Sequence, residues 1–96
     1  LKQAAEYGQP NAMHSLASEY FYAFEFKRNV AEAYYLALLA ERFYSLPKDR
    51  TRLAPLKKAI AKELAPRGDE MAAIQSRAAA FKPKPAPGWK IPLHRR

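Results

Sequence analysis

Side-chain chemistry near neutral pH is carried most often by histidine, and this chain has two, His14 and His94. His14 lies one position off the apolar stripe begun by Ala12 and Leu16. That place suits a surface or groove-edge side chain better than a ligand. His94 lies in a proline-rich end, far from His14 in sequence. No Ser/His/Asp arrangement, glycine-rich phosphate loop or HExxH is present. Cysteine is absent, which excludes disulfides and thiolate metal or redox chemistry. Asp69 and Glu70 are adjacent carboxylates, but they stand at the start of a predicted helix, where negative charge complements the dipole. No catalytic residue, cofactor site or metal site is therefore predicted.

Aromatic side chains are the stronger signal. Nine of the twelve fall between Tyr20 and Tyr44. Tyr20, Phe24, Tyr35 and Phe43 suit a core, whereas the run YFYAFEF places Phe21, Tyr22 and Phe26 on other faces of its helix. An aromatic surplus of this kind is a good anchor for a bound segment. The partner-binding candidates are Phe21, Tyr22 and Phe26, with His14, Tyr34 and Trp89 beside them.

Positive charge is unevenly placed. The formal net charge is +8, but residues 1–81 hold twelve Lys/Arg against nine Asp/Glu, while residues 82–96 hold five and no acid. The body is thus mildly basic, and a high pI is a poor argument for nucleic-acid binding. In KPKPAPGWKIPLHRR the prolines exclude helix. Trp89, Ile91 and Leu93 share one side of an extended segment, which favours their docking on the last helices.

These residues need helices to hold them. Alanine and leucine abound, glycine is scarce, and no apolar run approaches the ~20 residues of a membrane span. LKQAAEYG reads as the end of a helix, closed by Gly8 in a left-handed conformation. Because the chain opens at a leucine already in helix, with no leader pattern, it reads as a fragment or a processed chain. A second helix starts at Pro10 after the weak cap Gln9, with Ala12, Leu16, Tyr20 and Ala23 as its stripe. Asn29 caps a third, where Ala33, Leu36, Ala37 and Ala40 form a stripe that Tyr34, Tyr35, Leu38 and Leu39 widen beyond one face. YSLPKDRT breaks the pattern. The next helix runs to about Leu64 with Leu53, Leu56, Ile60 and Leu64 inward, and Pro55 belongs in its first turn or kinks it. A last helix, capped by Asp69, carries Met71, Ile74, Ala78 and Phe81.

An offset of 35 residues superposes Leu1 on Leu36, Ala5 on Ala40 and Glu6 on Glu41, a spacing typical of helical-hairpin solenoids. In detail the chain resembles the Sel-one-like repeat (SLR) family, relatives of the tetratricopeptide repeat. Ala12, Leu16, Ala17 and Tyr20 match the first helix of such a unit. Asn29, Val30, Ala33, Tyr34, Tyr35, Leu36 and Ala40 match the second, and AAEYG matches the end of a preceding one. Ala17 and Phe43 stand where the pattern has glycine, which alters the helix-to-loop geometry.

The resemblance implies an all-α fold of about four helices, arranged as antiparallel hairpins of a right-handed α-solenoid. Residues 1–43 would be the end of one unit plus one nearly complete repeat. Residues 44–81 would be a degenerate capping hairpin with Lys57, Lys58, Lys62 and Glu63 on its outer face, and residues 82–96 a Pro-rich basic tail. Upstream repeats would stack on residues 1–43. The implied function is that of a non-catalytic scaffold that binds a peptide or protein partner and places it in an assembly. Bacterial members of the family often act at the cell envelope or in export, which points to the periplasm or beyond. The competing reading is a binder of nucleic acid or an anionic surface, acting through the tail and Lys57, Lys58 and Lys62; its affinity would fall steeply with salt.

Overall fold

The computed structural model describes residues 2–23 and 27–84. Among these there are five helices and no strand: α1 (Lys2–Glu6), α2 (Pro10–Tyr22), α3 (Val30–Phe43), α4 (Pro47–Leu64) and α5 (Gly68–Ala80). The all-helical expectation holds, with the short α1 as the expected helix end.

Local chemistry sets most boundaries. Gly8 closes α1 at φ +89°, a conformation in which any Cβ is strained. Pro10 opens α2 from the first turn, where its missing N–H removes no helical bond, and Gln9 makes no side-chain cap. Asn29 does cap α3: its side-chain oxygen accepts the Glu32 N–H at 3.0 Å.

Two boundaries differ from expectation. α4 begins at Pro47, so PKDRT is helical and Pro55 lies well inside the helix. Pro47 is itself the N-terminal proline, a role that sequence pattern assigns equally well to Pro55. α5 begins at Gly68, so Asp69 is a residue of the first turn rather than the cap; with Glu70 it still faces the positive end of the dipole.

The core joins all five helices. Leu53, Leu56, Ile60 and Leu64 are all buried as their spacing predicts, as are Ile74 and Ala78. Ala33, Ala37 and Ala40, at i, i+4 and i+7 of α3, have no exposed surface, nor has Ala17 of α2. Small side chains there let helix backbones approach closely. The stripe of α2 is broader than expected at one edge, where Met13 is fully enclosed, and shorter at its end. Ala23 is exposed, because it is the left-handed C-cap of the helix (φ 58°), its N–H bonded to the Glu19 carbonyl.

α3 is the hub. It packs most extensively on α2, then on α4 and α5, whereas α4 and α5 touch each other little and α1 packs on α2. Arg42, in the last turn of α3, secures α5 by donating from Nη1 to the carbonyls of Ala78 (3.0 Å) and Phe81 (2.8 Å). The Ala78 carbonyl also accepts the Phe81 N–H at 3.2 Å, so Arg42 adds a second donor where the helix ends. Beyond α5 the chain returns to α1. The Lys84 N–H donates to the Glu6 carbonyl at 2.7 Å, the Lys84 ammonium meets the Glu6 carboxylate at 2.7 Å, and Pro83 packs on Gly8.

Candidate functional site

α2 presents Asn11, His14, Ser15, Ser18 and Glu19 along one side, spaced so that i+3, i+4 and i+7 neighbours share a face. Across from them stand Tyr44, just past α3, and Asp49 and Arg52 in the first turns of α4. Between these walls is an open polar cleft of about 590 Å³, within the size range of small-ligand sites.

Its floor is a hydrogen-bond knot around Tyr44, whose ring is buried in the core. The Tyr44 hydroxyl donates to Asn11 Oδ1 at 3.0 Å. Having one proton, it must accept in its other two contacts: from Arg52 Nη2 at 3.3 Å and from His14 Nδ1 at 2.9 Å. This assigns the proton of neutral His14 to Nδ1 and leaves Nε2 as an acceptor. Arg52 shares the same Nη2 with Asn11 (3.5 Å) and with Asp49 (3.4 Å). The rings of His14 and Tyr44 meet edge to face at 5.9 Å.

Electrostatics follow from burial and from Arg52. Desolvation lowers the His14 pKa below its ordinary 6.5, and the Arg52 charge lowers it further, with Asp49 partly opposing. His14 is therefore neutral at pH 7. Desolvation raises the Tyr44 phenol above its ordinary 10, so it is a hydroxyl throughout the neutral range. Neither group is poised as a strong base. Among the described residues no group of three His, Asp or Glu is placed to hold a metal ion.

One carboxylate in the cleft lacks a counterpart. Glu19 Oε2 is shut off from solvent and has no hydrogen-bond partner. Other ion pairs on the protein lie outside the cleft: Arg28 with Glu63 at 2.6 Å, Lys57 with Glu41 at 2.8 Å, and Arg77 with Glu32 at 3.2 Å. Lys57 and Glu63 thus tie α4 to earlier parts of the chain, and Glu63, like Lys58 and Lys62, is exposed.

The candidates named from sequence part company here. His14 lines the cleft. Tyr22 is exposed (54 %), its ring edge to face with that of Phe21. Phe21 is not an outer-face residue: it is buried, since Arg28 folds back to donate from Nε to its carbonyl (2.8 Å) and to cover its ring at 5.0 Å. Tyr34 is also buried, because α3 is covered on several sides, and its hydroxyl meets Gln75 Nε2 at 3.1 Å. Phe26 and Trp89, like Phe24, Ile91 and Leu93, lie outside the described residues.

No family model, curated protein or solved structure matches this chain. What the cleft can do therefore rests on its own atoms. His14 spends its proton on Tyr44, and Tyr44 is saturated. The arrangement holds polar groups in fixed positions and leaves acceptors unfilled. Asn11, Glu19, Tyr44, Asp49 and Arg52 were missed by sequence reasoning. Each is an ordinary polar or aromatic residue in its own segment, and only packing brings positions 11–19 against 44–52.

Proposed function

We propose that this chain is a non-catalytic interaction scaffold, built as SLR-like helical hairpins, that holds a peptide segment of a partner protein in the cleft between α2 and α4. The observation that carries the reading is the cleft itself: an open polar trough whose walls are fixed by the Asn11–Tyr44–His14–Arg52 knot. Walls held by a part-buried hydrogen-bond network need little reordering when a ligand arrives, which is what preorganised binding requires. Supporting the solenoid half of the reading, α3 packs on both α2 and α4, as the second helix of one hairpin would on its own first helix and on that of the next. The enclosed alanines of α3 supply the close approach such stacking needs.

Selection of binding peptides from a displayed random library tests this. Ser15 is exposed and lines the cleft, so Ser15→Arg fills the trough without disturbing the core. Selected peptides should bind the wild type and lose at least tenfold in affinity against Ser15→Arg, with the far-UV circular dichroism of the two proteins the same. Equal affinity for both would refute the assignment of the cleft.

A further inference from the structure

We propose that the α2/α4 cleft is selective for a cationic side chain, a lysine or arginine of the bound segment, with Glu19 as its counter-ion. The inference rests on the reading of this cleft as a binding site and adds the chemistry of what it takes.

A count of charges, taken after the hydrogen bonds are assigned, leads there. Tyr44 is saturated, with one donation and two acceptances. Asn11 Oδ1 accepts from both Tyr44 and Arg52. The protons of Arg52 Nη2 are divided among Asp49, Tyr44 and Asn11. The remaining donors (Arg52 Nη1 and Nε, the Asn11 amide and the serine hydroxyls) are matched by acceptors in the Glu19 carboxylate, His14 Nε2 and the Asp49 oxygen that Arg52 does not touch, so charge decides. Neutral His14 adds no charge, so two carboxylates face a single guanidinium, and the cleft carries one negative charge in excess. On a chain whose formal net charge is +8, a negatively charged trough selects against the chain's own average character.

Glu19 decides which acceptor matters most. An ionised carboxylate is usually paired when removed from water; here one oxygen is sealed, with no donor supplied by the protein. A cation entering the cleft is drawn by the charge of the part-buried Glu19, which lines the trough, and its N–H groups find acceptors in His14 Nε2 on one wall and Asp49 on the other. An anionic segment would find Arg52 already engaged by Asp49 and the uncompensated Glu19 carboxylate opposing it.

The test is an amide-shift titration of the ¹⁵N-labelled chain at low ionic strength with three blocked tripeptides, acetyl-Gly-X-Gly-amide, where X is Arg, Gln or Glu. The Arg peptide should shift the amides of Ser15, Ser18 and Glu19 to saturation at millimolar concentration, and the Gln peptide should bind at least fivefold more weakly. Glu19→Gln should weaken the Arg peptide at least fivefold while shifts elsewhere in the spectrum stay in place. Equal binding of the Arg and Gln peptides, or an unchanged affinity in Glu19→Gln, overturns the proposal. Preference for the Glu peptide at the same amides overturns the cation assignment but leaves the cleft as a binding site. Failure of all three peptides to move those amides also overturns it; whether the cleft reading then stands is decided separately by Ser15→Arg in the selection experiment.

Discussion

Replacing Ala37 by leucine probes the packing on which the whole arrangement depends. Ala37 has no exposed surface and sits between Ala33 and Ala40 on the stripe of α3. Its methyl group fills the space available, so the rest of an isobutyl group must displace a neighbouring backbone or force strained rotamers. Overpacking of this kind costs about 1–3 kcal/mol. A domain of this length has a total stability of roughly 5–15 kcal/mol, so the loss is a sizeable share. At about 4–8 °C per kcal/mol for a domain of 60–100 residues, Tm should fall by at least about 4 °C. In urea, with a slope of about 1–3 kcal/mol/M, the midpoint should drop by something near 1 M. The assay is ellipticity at 222 nm against urea, with Ala73→Leu as the control. Ala73 lies on the exposed side of α5, where substitutions usually stay within about 0.5 kcal/mol. Coincident curves for Ala37→Leu and Ala73→Leu would show that the alanine stripe leaves room to spare, and the close-approach account of the core would fail.

Acid should weaken the fold through His14. Its folded pKa is lowered, so between that value and 6.5 the unfolded chain binds more protons than the folded one. Stability from neutral His14 is complete above pH 6.5 and declines as the pH falls below it; His14→Gln should flatten this part of the stability–pH curve, and an unchanged slope would contradict the assignment. Gly8→Ala should lower Tm, because alanine is strained at φ +89° and its Cβ would meet Pro83 Cβ at 3.1 Å. A left-handed residue alone costs roughly 1–2 kcal/mol, and thermal melts of the two proteins measure the total.

Much of the helical framework could be read from residue pattern. Gly8, Pro10 and Asn29 mark ends by chemistry confined to one or two turns, and the α4 stripe at 53, 56, 60 and 64 is periodic enough to need no tertiary information. The errors arose where two residues competed for one role. Pro47 and Pro55 are both suitable helix openers, and the distinction depends on what α4 packs against. Phe21 and Tyr22 are neighbours of similar size, yet one is buried and the other exposed because Arg28 folds back over the first. The cleft was almost invisible for another reason. His14 was placed at a groove edge, but Tyr44 and Arg52 join it from thirty or more positions away, and no local spacing encodes such a meeting.

The return of Pro83 and Lys84 to Gly8 and Glu6 has a consequence for how the molecule comes apart. A stack of hairpins ordinarily frays from an end, one unit at a time. Here the segment after α5 is stapled to the shortest helix at the opposite extremity of the described chain, so loosening either one releases the other. Amide hydrogens of α1 and those around Lys84 should accordingly exchange as a single cooperative group, opening together under mild denaturant while α3, gripped from several sides, stays closed.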